Sequence, residues 1–62
     1  MTIKKNRITK GYTQESIARK LDITTRHYQR IENYESIPNV YLAIKISDLL
    51  NVDIRLLFKI KK

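Results

Sequence analysis

The sequence predicts an all-α fold of five short helices in a single 62-residue domain. Three observations carry that expectation. One glycine and one proline are too few for anything but a helical chain with short connections. Apolar residues recur at helical spacing, as in Ile17, Ala18 and Leu21, and again in Tyr28 and Ile31. Small polar residues that suit helix starts stand just before such stretches: Thr13, Thr24, Asn39 and Asp53.

The first helix is expected around Thr2 to Lys10, carrying Ile3, Arg7 and Ile8 and stopping at Gly11, a good C-terminal breaker. The second runs from Gln14 to Leu21. The Thr13 hydroxyl caps it by accepting a bond from a free first-turn amide, and Glu15 suits the positive end of its dipole. The third starts after Thr24 and ends near Asn33, with Tyr28 and Ile31 inward and Thr25, Arg26, Gln29 and Arg30 outward. Arg26 and Arg30, four apart, share a face. A loop follows, and Pro38 disfavours helix at Ile37. Asn39 caps a fourth helix to about Leu50, and Asp53 caps a short fifth one to about Phe58. Residues 3–58 form the core of the domain, and Lys59-Ile60-Lys61-Lys62 is a basic tail.

The second and third helices are short, joined by a tight turn at Asp22, and tied by Ile17, Leu21, Ile23, Tyr28 and Ile31. Ala18 is small where the two must cross closely, and Asp22 occupies a turn position that needs a left-handed backbone. This is a helix-turn-helix unit, whose second helix enters the major groove of DNA. The charge agrees. Thirteen basic and six acidic residues give a net charge of +7, which suits a polyanionic partner.

Composition also excludes chemistry. Cysteine is absent, so disulfide, zinc–thiolate and thiol chemistry are ruled out. His27 is the single histidine, with no carboxylate or cysteine motif around it. No glycine-rich phosphate loop is present, so no enzyme, metal site, cofactor or small-molecule ligand is expected. The absence of an apolar run near 18 residues or a signal pattern predicts a cytoplasmic protein without a membrane partner. A chain this short buries only about 60% of its unfolded surface, so pairing to a homodimer is expected. No effector domain fits in it, which points to regulation by occupancy of DNA, competition or concentration-dependent dimerisation.

Arg7, the run Gly11-Tyr12-Thr13-Gln14-Glu15-Ser16-Ile17-Ala18, then Ile31-Glu32-Asn33, Pro38 and Asn51-Val52 stand at suggestive distances. In these residues the chain resembles the lambda-repressor-like, Cro/C1-type (XRE) helix-turn-helix regulators, over roughly Ile3 to Phe58. Thr-Gln-Glu-x-Ile-Ala combined with Arg-Ile-Glu-Asn is the specific part of the match. The resemblance implies a compact five-helix DNA-binding domain. It implies that Gln14 contacts a phosphate and also braces the recognition helix. Thr25, Arg26 and Arg30 match positions that reach base edges, with Gln29 on the same surface. Asn33 matches a phosphate-contacting segment, and Arg7 and Glu32 match a buried salt bridge. Two family glycines are replaced, by Asp22 and by Tyr34. Tyrosine does not favour a left-handed helix end, so a different path is open to the loop after Asn33.

The residue types leave some roles open. Arg26 suits a bidentate pair with guanine, worth about 1–3 kcal/mol of discrimination, or a phosphate. Arg30 reads a base or clamps a phosphate, and Thr25 touches a thymine methyl or supports the helix start. The C-terminal third holds more apolar residues than one small core needs. Ile46, Leu50, Val52 and Leu57 match core positions, leaving Leu56, Phe58 and Ile60 for a subunit interface. The expected function is a sequence-specific transcriptional regulator, a repressor in the simplest case. It would bind a palindromic operator in double-stranded DNA as a homodimer, through the recognition helix 25–33. The alternative is an antitoxin-like interaction module that uses the same fold on a protein partner, with DNA secondary.

Overall fold

The structure, a computed structural model, describes residues 2–58. They form five helices and no strand: α1 Ile3–Thr9, α2 Gln14–Lys20, α3 Thr25–Glu32, α4 Val40–Leu50 and α5 Ile54–Phe58. The helix starts follow the polar residues that precede them. Thr13 Oγ1 accepts from the Ser16 amide at 3.0 Å, and Ser16 Oγ accepts in return from the Thr13 amide at 2.9 Å, closing a capping box. Thr24 Oγ1 accepts from the His27 amide at 3.0 Å and Asn39 Oδ1 from the Leu42 amide at 2.8 Å. Thr2 lies outside α1 and caps it, accepting from the Lys5 amide at 3.0 Å. Asp53 Oδ1 accepts from the Arg55 amide at 2.8 Å, and that bond holds the Asp53 carboxyl below its ordinary value.

The helix ends share one device. Gly11, Asp22, Tyr34 and Asn51 all have positive φ, between 55° and 82°. Each closes α1, α2, α3 or α4 with the paired backbone bonds of a Schellman motif. After α2, the Asp22 amide donates to Arg19 O at 3.1 Å and the Ile23 amide to Ala18 O at 3.0 Å. After α3, the Tyr34 amide donates to Ile31 O at 3.0 Å and the Glu35 amide to Arg30 O at 2.8 Å. Asp22 has the left-handed backbone its position demands, at φ 60°. Tyr34 corrects the sequence-based expectation. It adopts φ 62° despite its side chain, so the chain turns as a glycine there would turn it. Two closing hydrogen bonds, each worth about 1 kcal/mol net, offset a left-handed penalty of about 1–2 kcal/mol.

All five helices feed one core. Ile3, Ile17, Ala18, Leu21, Tyr28, Ile31, Leu42, Ile46, Leu50 and Leu57 pack into a single cluster. Val52 is only partly buried against it, and Ile8 of α1 points outward. Each fully buried aliphatic side chain contributes roughly 1.5–3 kcal/mol, against about 1 kcal/mol for a cap. Packing therefore holds the helices together, while the caps decide where each begins. Ala18, with 1% exposure, lies where α2 meets α3, the most extensive of the helix contacts. The apolar surplus of the C-terminal third stands outside the core: Ile37, Val40, Tyr41 and Leu56 are each more than half exposed. No helix among the described residues is long and apolar enough to cross a membrane.

The left-handed closures give a prediction of opposite sign at two sites. Tyr34→Gly relieves strain at an exposed side chain and is expected to stabilise the domain by about 1 kcal/mol, raising Tm by roughly 4–8 °C. Gly11→Ala, where an added Cβ meets nothing within 4 Å but φ is +82°, is expected to destabilise by about as much. Thermal unfolding followed by circular dichroism reads both.

Candidate nucleic-acid interface

The turn between α2 and α3 sets α3 across the domain with one face sealed. Tyr28, Ile31 and Glu32 are buried, whereas Arg26, His27, Gln29 and Arg30 are exposed and Thr25 is half-buried. At 100° per residue, Arg26 and Arg30 lie opposite the buried face. Thr25 and Gln29 fall on one flank of that outward ridge and His27 on the other.

A chain of polar contacts fixes the inner face. The Arg7 guanidinium of α1 meets the Glu32 carboxylate of α3 with Nε to Oε2 at 3.2 Å and Nη2 to Oε1 at 3.2 Å. Nη1 donates to the Tyr12 carbonyl at 2.7 Å, tying down the connection between α1 and α2. The two side chains are only 9% and 1% exposed, so this is a buried, bidentate pair. Gln14 Nε2 donates to the same Oε2 of that carboxylate at 3.2 Å. A carboxylate only accepts, so the Gln14 amide must turn its nitrogen inward. Its oxygen then faces out and accepts from Gln29 Nε2 at 3.1 Å. Removing one partner from such a buried pair costs roughly 3–5 kcal/mol, because the other charge stays buried.

These contacts distribute the expected site residues. Arg7 and Glu32 lie together in the interior. Gln14 is engaged at both ends of its amide as a brace between α2 and α3, and Gln29 spends its amide nitrogen on Gln14. Arg26 and Arg30 stand free on the outer ridge, beside the partly covered Thr25. Asn33 is the exposed closing residue of α3. Leu56 is 58% exposed and Phe58 half-buried. Ile60 and the basic tail 59–62 lie outside the described residues.

Sequence reasoning missed two features. The Tyr28 hydroxyl is buried close to the Arg7–Glu32 pair, yet among the described residues it makes no hydrogen bond of good geometry. Burial first, and the Glu32 charge second, push its ionisation above the ordinary phenol range. An inward tyrosine four residues before a glutamate, one helical turn away, is the signal that was present. Ser36 also comes back alongside α3, with its amide donating to Arg30 O at 3.2 Å. No signal foretold that, because it follows from the left-handed Tyr34.

A family model described as helix-turn-helix matches residues 3–57. The chain is 39% identical over 57 residues to YqaF of Bacillus subtilis (strain 168), an uncharacterised HTH-type transcriptional regulator. That alignment covers 92% of this chain and 75% of the relative. No solved structure matches the chain.

The orphaned hydroxyl sets the sign of an alkaline effect. Stability is indifferent to Tyr28 below the ordinary phenol value of about 10. It falls as pH climbs from there toward the raised folded value, since only the unfolded chain ionises readily. Tyr28→Phe is expected to unfold no more easily than the parent at neutral pH, as the lost hydroxyl makes no hydrogen bond of good geometry. It should also lose less stability between about pH 9 and 11. Urea unfolding across that range checks both statements.

Proposed function

The chain belongs to the Cro/C1-type helix-turn-helix family of DNA-binding transcriptional regulators, and from that premise we propose that it is a repressor acting as a homodimer on a palindromic operator. One observation carries the reading: Arg26 and Arg30 project from α3, whose opposite face is locked into the core by Tyr28, Ile31 and Glu32. A helix held this rigidly presents the same donors to every duplex it meets, which is what reading bases requires. Arg26 lies within the first turn of α3, the end that enters the groove, and pairs with guanine O6 and N7. Thr25 sits beside it toward a thymine methyl. Gln14, with its remaining amide hydrogen, and Asn33 contact phosphates at the two ends of the same surface. The net charge of +7 supplies the sequence-independent attraction.

Two copies related by a two-fold axis place their α3 helices in major grooves about 34 Å apart, so the operator repeats as a palindrome. Dimerisation has support in a groove of about 320 Å³ lined by Ile37, Pro38, Val40, Ala43, Ile54 and Phe58, with Leu56 exposed on the same short helix as Phe58. A dimer seated on a promoter excludes polymerase by occupancy, the simplest route to repression. The same groove favours a second reading, an antitoxin-like module that buries these residues in a different protein. A chain that is a stable dimer by itself in sedimentation runs counts against that alternative.

Binding-site selection from random duplexes tests the base-reading role. Wild-type protein is expected to enrich one palindrome. Arg26→Ala should keep weak, salt-sensitive binding while losing about 1–3 kcal/mol of preference at one base pair of each half-site. Equal loss on selected and random DNA would mean that Arg26 touches only backbone. Phe58→Glu is expected to convert a dimer to a monomer in light scattering, and a dimer that persists moves the interface elsewhere.

A further inference from the structure

The surface around α3 holds two polar concavities of opposite character. The larger, about 560 Å³, lies where α2 meets the start of α3 and is lined by Glu15, Arg19, Asp22, Ile23, Thr24 and Thr25. Two carboxylates face it, and Glu15 pairs with Arg19 at 3.9 Å. With two carboxylates against one guanidinium, that lining does not suit an anion. The smaller, about 280 Å³, lies on the His27 flank of α3 and is lined by Thr24, Arg26, His27, Arg30 and Ser36. Each of those side chains carries a hydrogen-bond donor, and none is acidic. The hydrogen bonds and ion pairs of the described residues engage none of the side chains of Arg26, His27, Arg30 and Ser36.

This cup exists because the chain doubles back after α3. Tyr34 turns left-handed, and the Glu35 and Ser36 amides both donate to Arg30 O, at 2.8 Å and 3.2 Å. Ser36 is thereby held opposite Arg30 and His27, which are three apart and so neighbours on the helix. Arg26 also lines the cup, one turn nearer the helix start and farther from the Arg30 carbonyl that holds Ser36. A guanidinium flanked by an imidazole and a hydroxyl, all free to donate, matches one tetrahedral dianionic or diester phosphate oxygen cluster far better than the edge of a base.

We infer that Arg30, His27 and Ser36 form a seat for one backbone phosphate of the bound duplex. The seat fixes how α3 lies along the groove and leaves Arg26 as the arginine that reads sequence. The inference rests on the DNA-binding reading above and divides the two arginines that sequence alone leaves equivalent.

Filter binding to the selected operator and to a random duplex, across a salt series, tests it. His27 and Arg30 are exposed, Ser36 is half-buried and Ser36→Ala removes one atom, so the variants are expected to fold as the parent does. Arg30→Ala is expected to weaken binding to both duplexes by the same factor and to lower the salt slope by about 0.9, one phosphate's share. His27→Ala and Ser36→Ala should each weaken both by up to about tenfold. Replacing single phosphates by methylphosphonate should reveal one position per half-site where the wild type loses affinity and Ser36→Ala loses no more. The seat is overturned if Arg30→Ala changes base preference at one position with an unaltered slope, or if no such shared phosphate exists. Inorganic phosphate alone, titrated by NMR, separates the sources. Tight binding of the free ion in the cup, with duplex affinity untouched by the three substitutions, assigns the cup to a free anion and overturns its role on DNA. A chain without sequence preference whose salt slope still falls in Arg30→Ala would sink the operator reading and keep the seat. A sequence-selective chain indifferent to all three substitutions would do the reverse.

Discussion

Arg7 and Glu32 are 25 residues apart and come from different helices, yet their side chains meet almost out of reach of water. The orientation of α3 follows from that meeting. Burying two charges gives back much of their mutual attraction in lost hydration, so the pair adds less to net stability than its geometry suggests. Its directional bonds do something apolar packing cannot. Hydrophobic contacts are indifferent to small rotations of α3 about its axis. A bidentate guanidinium–carboxylate pair is not, because turning the helix breaks both bonds at once. Gln14 extends the constraint from the carboxylate to Gln29 at the surface. One carboxylate thus ties α1, α2 and the outward ridge of α3 into a single register.

A domain of this size has little stability to spare, and it nonetheless tolerates strain at the end of α3. Three of the four left-handed closures among the described residues use residues other than glycine. For Asp22 and Asn51 the penalty is small, since their short polar side chains suit that region. Tyr34 has no such excuse. The closure at Tyr34 directs Glu35 and Ser36 back along α3 and so shapes the only side of the outward ridge lined by donors alone among the concavities described. Local strain and a shaped polar surface coincide, as they often do at working sites.

Charge and apolarity are segregated over the surface. The outward side of α3 carries arginines, a histidine and amides, while the face made by α4, α5 and the loop before α4 carries Ile37, Val40, Ile54 and Phe58. Asn39 and Pro38 start α4 in a way that leaves Val40 73% exposed rather than turned into the core. A small globule cannot bury every apolar side chain of so rich a C-terminal third, and part of the remainder lines one groove.

What the sequence settles by itself is what is decided within about four residues. Thr13, Thr24, Asn39 and Asp53 mark helix starts because a side-chain oxygen reaches an amide two or three positions on. The inward turn of Tyr28 and Ile31 is likewise legible, since periodicity alone sorts the faces of a helix. Arg7 and Glu32 are different. Among 13 basic and 6 acidic residues no spacing rule selects that pair, and only likeness to a family brought them together beforehand. The unsatisfied Tyr28 hydroxyl, the Gln14–Gln29 link and the return of Ser36 to Arg30 were decided by the tertiary structure. Each depends on the crossing of whole helices or on a backbone turn that tyrosine does not favour. Such contacts are set by the packing of the entire core, and no local preference encodes them.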